Sequence, residues 1–536
     1  MELPDPTSLL SSPDWQVQRS TYRAAEDAYY EKLFTLANGY AGLSATVNFD
    51  NPLTHPGFYL ATVYERGLAV RNSISNLPNF LDVALLADGE RLQLRDDSEG
   101  SFIQTLDMKH GLCHVACTFV TAKGNTVSLA FVIILHASRK NLAMILGRVR
   151  TTVPGGRIIL ELGTHFGVYN RYLWALSPAL RIQHWRPPEL AWDGTRLALT
   201  FPCHSSGSRF ACDSAVLTGS RRRHVRMERE RVVESIQLAA DEGDSSFCRI
   251  VGFCPSSEDP DPEGNARQAV TTALETGCHR LIEEHLRWWR KRWRSADIEI
   301  RGDARANEGA RFAVFHLLQS YREDASWSVP ARGFSSDYHS GHHFFNTELF
   351  IIFFFLYTDP RLARNLLQFR HRTLAAARRH AAATGYAGAR FPEEADHEGN
   401  PDSPFKIIDH ATGRELEEWS GKEVYHISAG VAFAIESYIR MSGDHEWMLD
   451  AGLEMLIETA RFNASLAAWD HAKGTFVIRQ VMGPDEYHYH IDNNYYTNYL
   501  AAWTLRLCLR HLEGYRRSNR ERVRRIEADA GLTDNE

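Results

Sequence analysis

Histidine and carboxylate side chains that can carry chemistry cluster at a few places in this 536-residue chain. His339, His342 and His343 lie together and His488 alternates with His490; such histidines can chelate zinc when a third ligand converges. Glu486 follows Gly483-Pro484-Asp485, where a carboxylate is often a plain loop residue, and Glu393 stands beside Glu394, a common pattern in solvated turns. Eight cysteines are scattered without a C-x-x-C pair, which suits a reducing cytosol better than a disulfide framework or a zinc site. Trp288-Trp289-Arg290-Lys291-Arg292-Trp293-Arg294 interleaves cations with aromatic rings, as single-strand nucleic-acid binders do. A net charge of −7 argues against a polyanion partner, so this stretch is read as an amphipathic helix with Trp rings packed on protein. Asn463-Ala464-Ser465 has glycosylation spacing but falls inside an expected helix and is read as chance.

The elements that position these groups change kind along the chain. The first half alternates like strands: 81–87 and 91–94 flank Asp88-Gly89, 114–121 and 126–134 flank Lys123-Gly124-Asn125, and 141–151 and 157–162 flank Pro154-Gly155-Gly156. Each is expected to be a hairpin, and their repetition predicts a large antiparallel sandwich. The strand signal fades after 247–253, and the Pro-, Asp- and Glu-rich segment 256–263 marks a boundary before a helix at 265–294. From Arg305 the period is helical, with helices expected near 305–321, 347–357, 360–383, 425–441, 445–467, 493–512 and 518–530. Asp359-Pro360 supplies an N-cap and a first-turn proline, and Asp444 caps a later helix.

The totals set outer limits. The chain is too long for one ordinary core, and its 44% hydrophobic and 24% charged composition is that of a folded globular protein. The longest apolar run, 349–357, falls far short of the roughly 18 residues a membrane helix needs and is expected to be a buried helix. Residues 1–14 have neither a basic region nor an apolar one, which reads as no signal peptide and a cytoplasmic location.

Longer patterns run through the same residues. Gly483-Pro484-Asp485-Glu486-Tyr487-His488 is followed by Asp492-Asn493-Asn494 and Tyr496-Thr497-Asn498. Ala331-Arg332-Gly333 leads through Gly341-His342 to Thr347-Glu348. Gly385-Tyr386 precedes Gly388-Ala389 and Pro392, and Glu458-Thr459-Ala460-Arg461-Phe462 comes later. Asn38-Gly39-Tyr40 and Asn76-Leu77-Pro78-Asn79 stand nearer the start. Together, over residues 15–515, these resemble glycoside hydrolase family 65, the group of maltose, trehalose and kojibiose phosphorylases and their hydrolase relatives.

The resemblance implies an α+β multidomain fold: an N-terminal antiparallel β-sandwich at 1–255, a helical linker at 256–304 and an (α/α)6 catalytic barrel from 305. Twelve barrel helices with their loops need about 300 residues, so 305–536 is expected to hold the barrel only in part. Helical faces left open would expose apolar surface and make an isolated chain aggregation-prone or dimeric. Family phosphorylases are often dimers, so a homodimer is the assembly the resemblance suggests.

For chemistry, the resemblance makes Glu486 the general acid of an inverting reaction, protonating the glycosidic oxygen while a nucleophile attacks from the opposite face. Its pKa is expected to be raised by burial and by Asp485. Phe345, Asn346, Arg332, His342 and Glu394 are the expected substrate-binding residues. Phe345-Asn346 stands where the family usually has Trp-Asp; Asn offers one acceptor oxygen and no charge, which predicts a weakened donor pocket or a sugar other than α-glucose. Glu393 replaces a family Trp and Asn463 another. Glu393 and Glu394 are open between sugar ligands and a solvated turn, and Arg332 and His342 between pocket-shaping and purely structural roles. The family pattern accounts for His342 and His488 without a metal, so none is expected.

The implied activity is phosphorolysis of an α-glucosyl disaccharide to β-glucose 1-phosphate, with inorganic phosphate as co-substrate and no other cofactor. An inverting α-glucosidase and a non-catalytic sugar-binding remnant stay open, because phosphate ligands or a base carboxylate would fall beyond Glu536. The expected partner is a small disaccharide, with neither nucleic acid nor membrane; its linkage is not legible.

Overall fold

The computed structural model describes residues 3–66, 72–96, 101–152, 157–170, 183–220, 222–238, 243–324, 327–409 and 412–533. The chain forms two compact units, one of Met1–Arg322 with Arg332–Gly341, the other of Glu323–Ala331 with His342–Glu536.

The first unit is built on antiparallel sheets. The larger has nine strands in the order Gln16–Arg19, Phe102–Asp107, Leu112–Val120, Thr126–Leu135, Leu142–Thr151, Asp244–Pro255, Arg209–Thr218, Arg196–Pro202 and Glu189–Trp192. A five-stranded sheet orders Arg223–Met227, Arg231–Gln237, Ile158–His165, Asn79–Ala87 and Glu90–Arg91. The sheets face each other through rings, with Phe80 of one 6.2 Å from Phe253 of the other, and Arg249 donates across the gap to the Phe80 and Gly163 carbonyls. The opposite face of the larger sheet carries the helices Pro262–Thr276 and Cys278–Ala296, which bury Val270, Ala273 and Leu281 against Val132, Ile134, Met144 and Ile250. Residues on both faces of Thr126–Leu135 are therefore covered, which is why 131–135 reads as an unbroken apolar run rather than an alternation.

The hairpins around Asp88-Gly89 and 123–125 form as the turn residues predict. The one expected around 154–156 does not. Leu142–Thr151 has its edges taken by Thr126–Leu135 and Asp244–Pro255, and Ile158–His165 pairs in the five-stranded sheet, so the chain passes from one sheet to the other; residues 153–156 lie outside the described residues. The helix expected at 265–294 is two helices, parted at Gly277, whose φ of 82° suits glycine. Trp289 and Trp293 are buried: Trp289 stacks 5.0 Å from Phe315 and Trp293 donates its indole N–H to the Met108 carbonyl at 3.0 Å.

The second unit is helical. Ile352–Thr358, Pro360–Arg372, Leu374–Ala383, Ile427–Ser442, Leu453–Leu466, Tyr495–Ser518 and Arg520–Asp529 lie where the helical period predicts, with a break at Thr373. Asp359 caps Pro360–Arg372, Asp444 accepts from Trp447 N–H at 3.1 Å, and Gly443 ends Ile427–Ser442 in the left-handed conformation. The apolar run 349–357 departs from its expected burial. Ile352, Phe355 and Leu356 are buried, whereas Phe350 is 65% and Tyr357 77% exposed, so the run is amphipathic in packing though not in composition.

Candidate active site

Glu486 rides on a loop whose backbone is fixed from both sides. Met482 N–H donates to the Glu423 carbonyl at 3.0 Å, and the Glu423 carboxylate accepts from His490 N–H at 2.7 Å and lies 2.5 Å from His490 Nδ1. Val481 and Ile491 bridge in antiparallel fashion across the loop's neck. Asp485 ties the tip, accepting from Tyr487 N–H at 3.0 Å and contacting His488 Nδ1 at 2.6 Å. The rest of the motif serves geometry. Asn494 caps Tyr495–Ser518 through Thr497 N–H at 3.1 Å, and a Cβ on Gly483 would sit 2.5 Å from the Asn494 amide. Asn493, at a φ of 57°, accepts from Ile478 N–H at 3.2 Å. The two alternating histidines thus serve separate carboxylates, Asp485 and Glu423, rather than a shared ligand.

The electrostatics separate the two acids at the loop tip. The Glu486 carboxyl is pushed above its ordinary range by partial desolvation and by the negative charges of Glu418 and Asp485. Asp485 is pulled below its own by the Tyr487 amide and His488. The two adjacent carboxyls are thus pushed in opposite directions.

A second group of residues converges on the segment 389–396. His342 precedes the short strand His343–Phe344, which pairs His343 with Ala395 and Phe344 with Glu394. His342 is fully buried, with Nδ1 2.8 Å from Glu394 Oε1 and Nε2 3.3 Å from Asp402 Oδ2. Phe391 N–H donates to Ser428 Oγ at 2.9 Å, and the Arg390 guanidinium donates to the Lys422 carbonyl at 2.7 Å. The motifs at 385–389 and 458–462 meet here: Ala389 N–H donates to the Glu458 carbonyl at 3.0 Å, and a Cβ on Gly388 would lie 2.3 Å from that oxygen. Asn463 is buried and donates to the Thr459 carbonyl at 2.8 Å, as a helix-interior side chain.

Residues 17–292 match the model of the glycosyl hydrolase family 65 N-terminal domain, and residues 311–532 match that of the family's central catalytic domain. The chain belongs to glycosyl hydrolase family 65. Among its curated relatives, the kojibiose phosphorylase of Halothermothrix orenii is 31% identical over 518 residues, covering 92% of this chain and 64% of that protein. The kojibiose phosphorylase of Thermoanaerobacter brockii is 29% identical over 552 residues, covering 100% of this chain and 71% of that one. The chain thus spans about two thirds of the length of these relatives. A solved structure described as "Putative kojibiose phosphorylase from human microbiome" superposes with a TM-score of 0.83 at 20% identity, over 100% of this chain and 70% of that one, a likeness of fold.

Within this family 65 chain, the residues singled out by sequence are distributed unevenly. Glu486, His342, Glu394, Phe345 and Asn346 lie in the second unit; Arg332 belongs to the first, exposed, with its guanidinium 5.2 Å over the Tyr338 ring. Phe345 is half-buried with its ring edge-on to His426 at 6.2 Å, and His426 in turn meets Tyr496 at 5.1 Å. Asn346 is exposed. The solvated-turn reading of Glu393 and Glu394 is wrong, since their side chains are buried, at 9% and 4% exposure. Burial raises the Glu393 carboxyl to about 7, the Ser420 side chain working against it and the charges of Glu486, Glu394 and Glu418 adding to it. Asp402, Glu418, Ser420 and Glu423 were not foreseen; each reaches the site by tertiary contact and carries no local pattern.

Proposed function

We propose that this chain carries the proton donor and donor-sugar contacts of an inverting disaccharide phosphorylase acting on an α-glucosyl disaccharide, with kojibiose first among the substrates to try. The observation behind this reading is the held loop of Glu486, in a chain whose relatives include kojibiose phosphorylases at 31% and 29% identity. A neutral Glu486 gives its proton to the glycosidic oxygen, an oxygen of inorganic phosphate attacks C1 from the opposite face, and the C1–O bond breaks. The products are β-glucose 1-phosphate and a free sugar. Glu394, oriented by His342, accepts hydroxyl hydrogen bonds of the donor glucose, while Phe345 supplies an apolar contact. Asp485 stays ionised and resists loss of the Glu486 proton.

The test is phosphate-dependent release of glucose 1-phosphate from kojibiose, nigerose, maltose and trehalose by the full chain, beside Glu486→Gln. Turnover that needs phosphate and falls by about 10²–10⁴-fold in the variant is the expected result. Turnover without phosphate would make it a hydrolase, and turnover untouched by Glu486→Gln would remove that residue from the chemistry.

A further inference from the structure

Glu423 closes the short helix Ser420–Glu423 and is buried, at 5% exposure. It grips the loop segment 482–490 at both of its ends. Its main-chain carbonyl accepts from Met482 N–H at 3.0 Å. Its carboxylate takes His490 twice: the His490 N–H donates to Oε2 at 2.7 Å, and His490 Nδ1 lies 2.5 Å from Oε1. Glu486 sits midway between the two gripped residues.

An ionised carboxylate only accepts, so the hydrogen between the two side chains belongs to His490 Nδ1. One residue thus satisfies both oxygens of a buried carboxyl, as a buried charge requires. His490 adopts a φ of 59°, a left-handed conformation that a residue with a Cβ takes at a cost. In that conformation its N–H and its ring reach the same carboxylate. Trp419, at the start of the short helix, meets the His490 ring edge-on at 4.5 Å and stacks on Tyr489 at 6.3 Å. The other ties of the loop are internal to it: Val481 and Ile491 bridge its neck, and Asp485 binds Tyr487 and His488 at the tip. Internal ties shape the loop, whereas the Glu423 carboxylate fixes its returning arm against the helices.

We propose that Glu423 is a positioning residue for the proton donor, its carboxylate anchoring the returning arm of the loop so that Glu486 is aimed at the glycosidic oxygen. This rests on the reading of Glu486 as the acid and gives Glu423 no contact with substrate. Proton transfer needs the donor within hydrogen-bond reach of the leaving oxygen, and a displacement of about 1 Å can cost about 10²-fold in rate. Such an anchor acts on the chemical step rather than on sugar binding, so it separates kcat from KM. The amide of Glu423→Gln offers an acceptor for the His490 N–H and a donor for the other ring tautomer, which keeps the contact without its charge.

Hydrogen exchange of the full chain, read by mass spectrometry on peptides covering 482–491, tests the anchor without turnover. Glu423→Ala is expected to speed exchange there about tenfold, leaving the helix Ile427–Ser442 unchanged, and Glu423→Gln should restore most of the protection. His490→Ala attacks the same contact from its exposed side and should speed exchange alike, which decides the matter should Glu423→Ala fail to fold. Where phosphorolysis is measurable, Glu423→Ala should lower kcat about 10–100-fold with KM within about twofold, and Glu423→Gln should recover most of that loss. Unchanged exchange in either alanine variant, or a loss that falls on KM with kcat kept, overturns the proposal. Turnover lost in Glu486→Gln but untouched by Glu423→Ala would strike the anchor alone. Turnover that survives Glu486→Gln would strike the acid, and the exchange would still decide the anchor.

Discussion

Glu348 and Arg370 form a two-pronged ion pair at 2.9 and 2.8 Å, each about 1% exposed, joining the segment after Asn346 to the helix Pro360–Arg372. The pair fixes the backbone that carries Phe345 and Asn346. Because its charges are fully desolvated, breaking it leaves one stranded. Glu348→Ala should therefore cost about 3–5 kcal/mol in denaturant unfolding of the second unit, whereas replacing both partners with apolar residues of similar volume should cost much less. Equal losses in the single and double variants would show that packing, not charge, is what the pair supplies.

His342 spends both ring nitrogens on carboxylates, Glu394 and Asp402. Removing the ring leaves Glu394 buried without that partner, free to turn away from substrate or take up a proton. His342→Ala is expected to raise KM for the disaccharide about 10–100-fold, with a smaller effect on kcat. An unchanged KM would assign Glu394 no part in holding the donor sugar.

Phe345-Asn346 departs from the Trp-Asp of the family resemblance, and Asn346 is exposed. Phe345→Trp with Asn346→Asp adds ring surface and a second acceptor oxygen. Glucose binding by calorimetry should tighten by about tenfold, on the order of one charge-assisted hydrogen bond. No gain would mean that the pocket selects another sugar or is compensated by neighbouring residues.

Glu454 ties three helices together, meeting His371 at 3.3 Å and Arg378 at 2.7 Å from the helix Leu453–Leu466. The His371 hydrogen bond and then Arg378, against the opposing effect of burial, lower its carboxyl from 4.5 to about 2. A carboxylate depressed by folding stabilises the native state above its unfolded pKa and loses that contribution as pH falls through the folded value. The unit should thus lose stability between about pH 4.5 and 2, on the order of 2 kcal/mol from this group, and Glu454→Gln should flatten that part of the profile. An identical acid profile in the variant would place the loss elsewhere.

Much of the architecture was legible in the sequence for physical reasons that act locally. Asp359-Pro360 and Asp444 mark helix starts because caps satisfy orphan backbone groups within a few residues. The turns at Asp88-Gly89 and 123–125 depend on conformations that glycine permits. The family pattern around Glu486 is likewise contiguous, and its asparagines and glycine hold that loop through bonds to near neighbours.

Tertiary structure decided the rest. Nothing local distinguishes a turn that closes a hairpin from one that crosses between sheets, so 154–156 misled; which strand fills an edge depends on partners a hundred residues away. The burial of Phe355 but not Phe350 depends on which helices pack on the run, not on its composition. Glu393 is the sharpest case. Two adjacent acids read as a wet turn, because the energetic cost of a buried carboxyl is set by what surrounds it. Only the fold brings it close to Glu418 and the Glu486 loop, making a residue that the chain alone presents as surface charge a buried carboxyl.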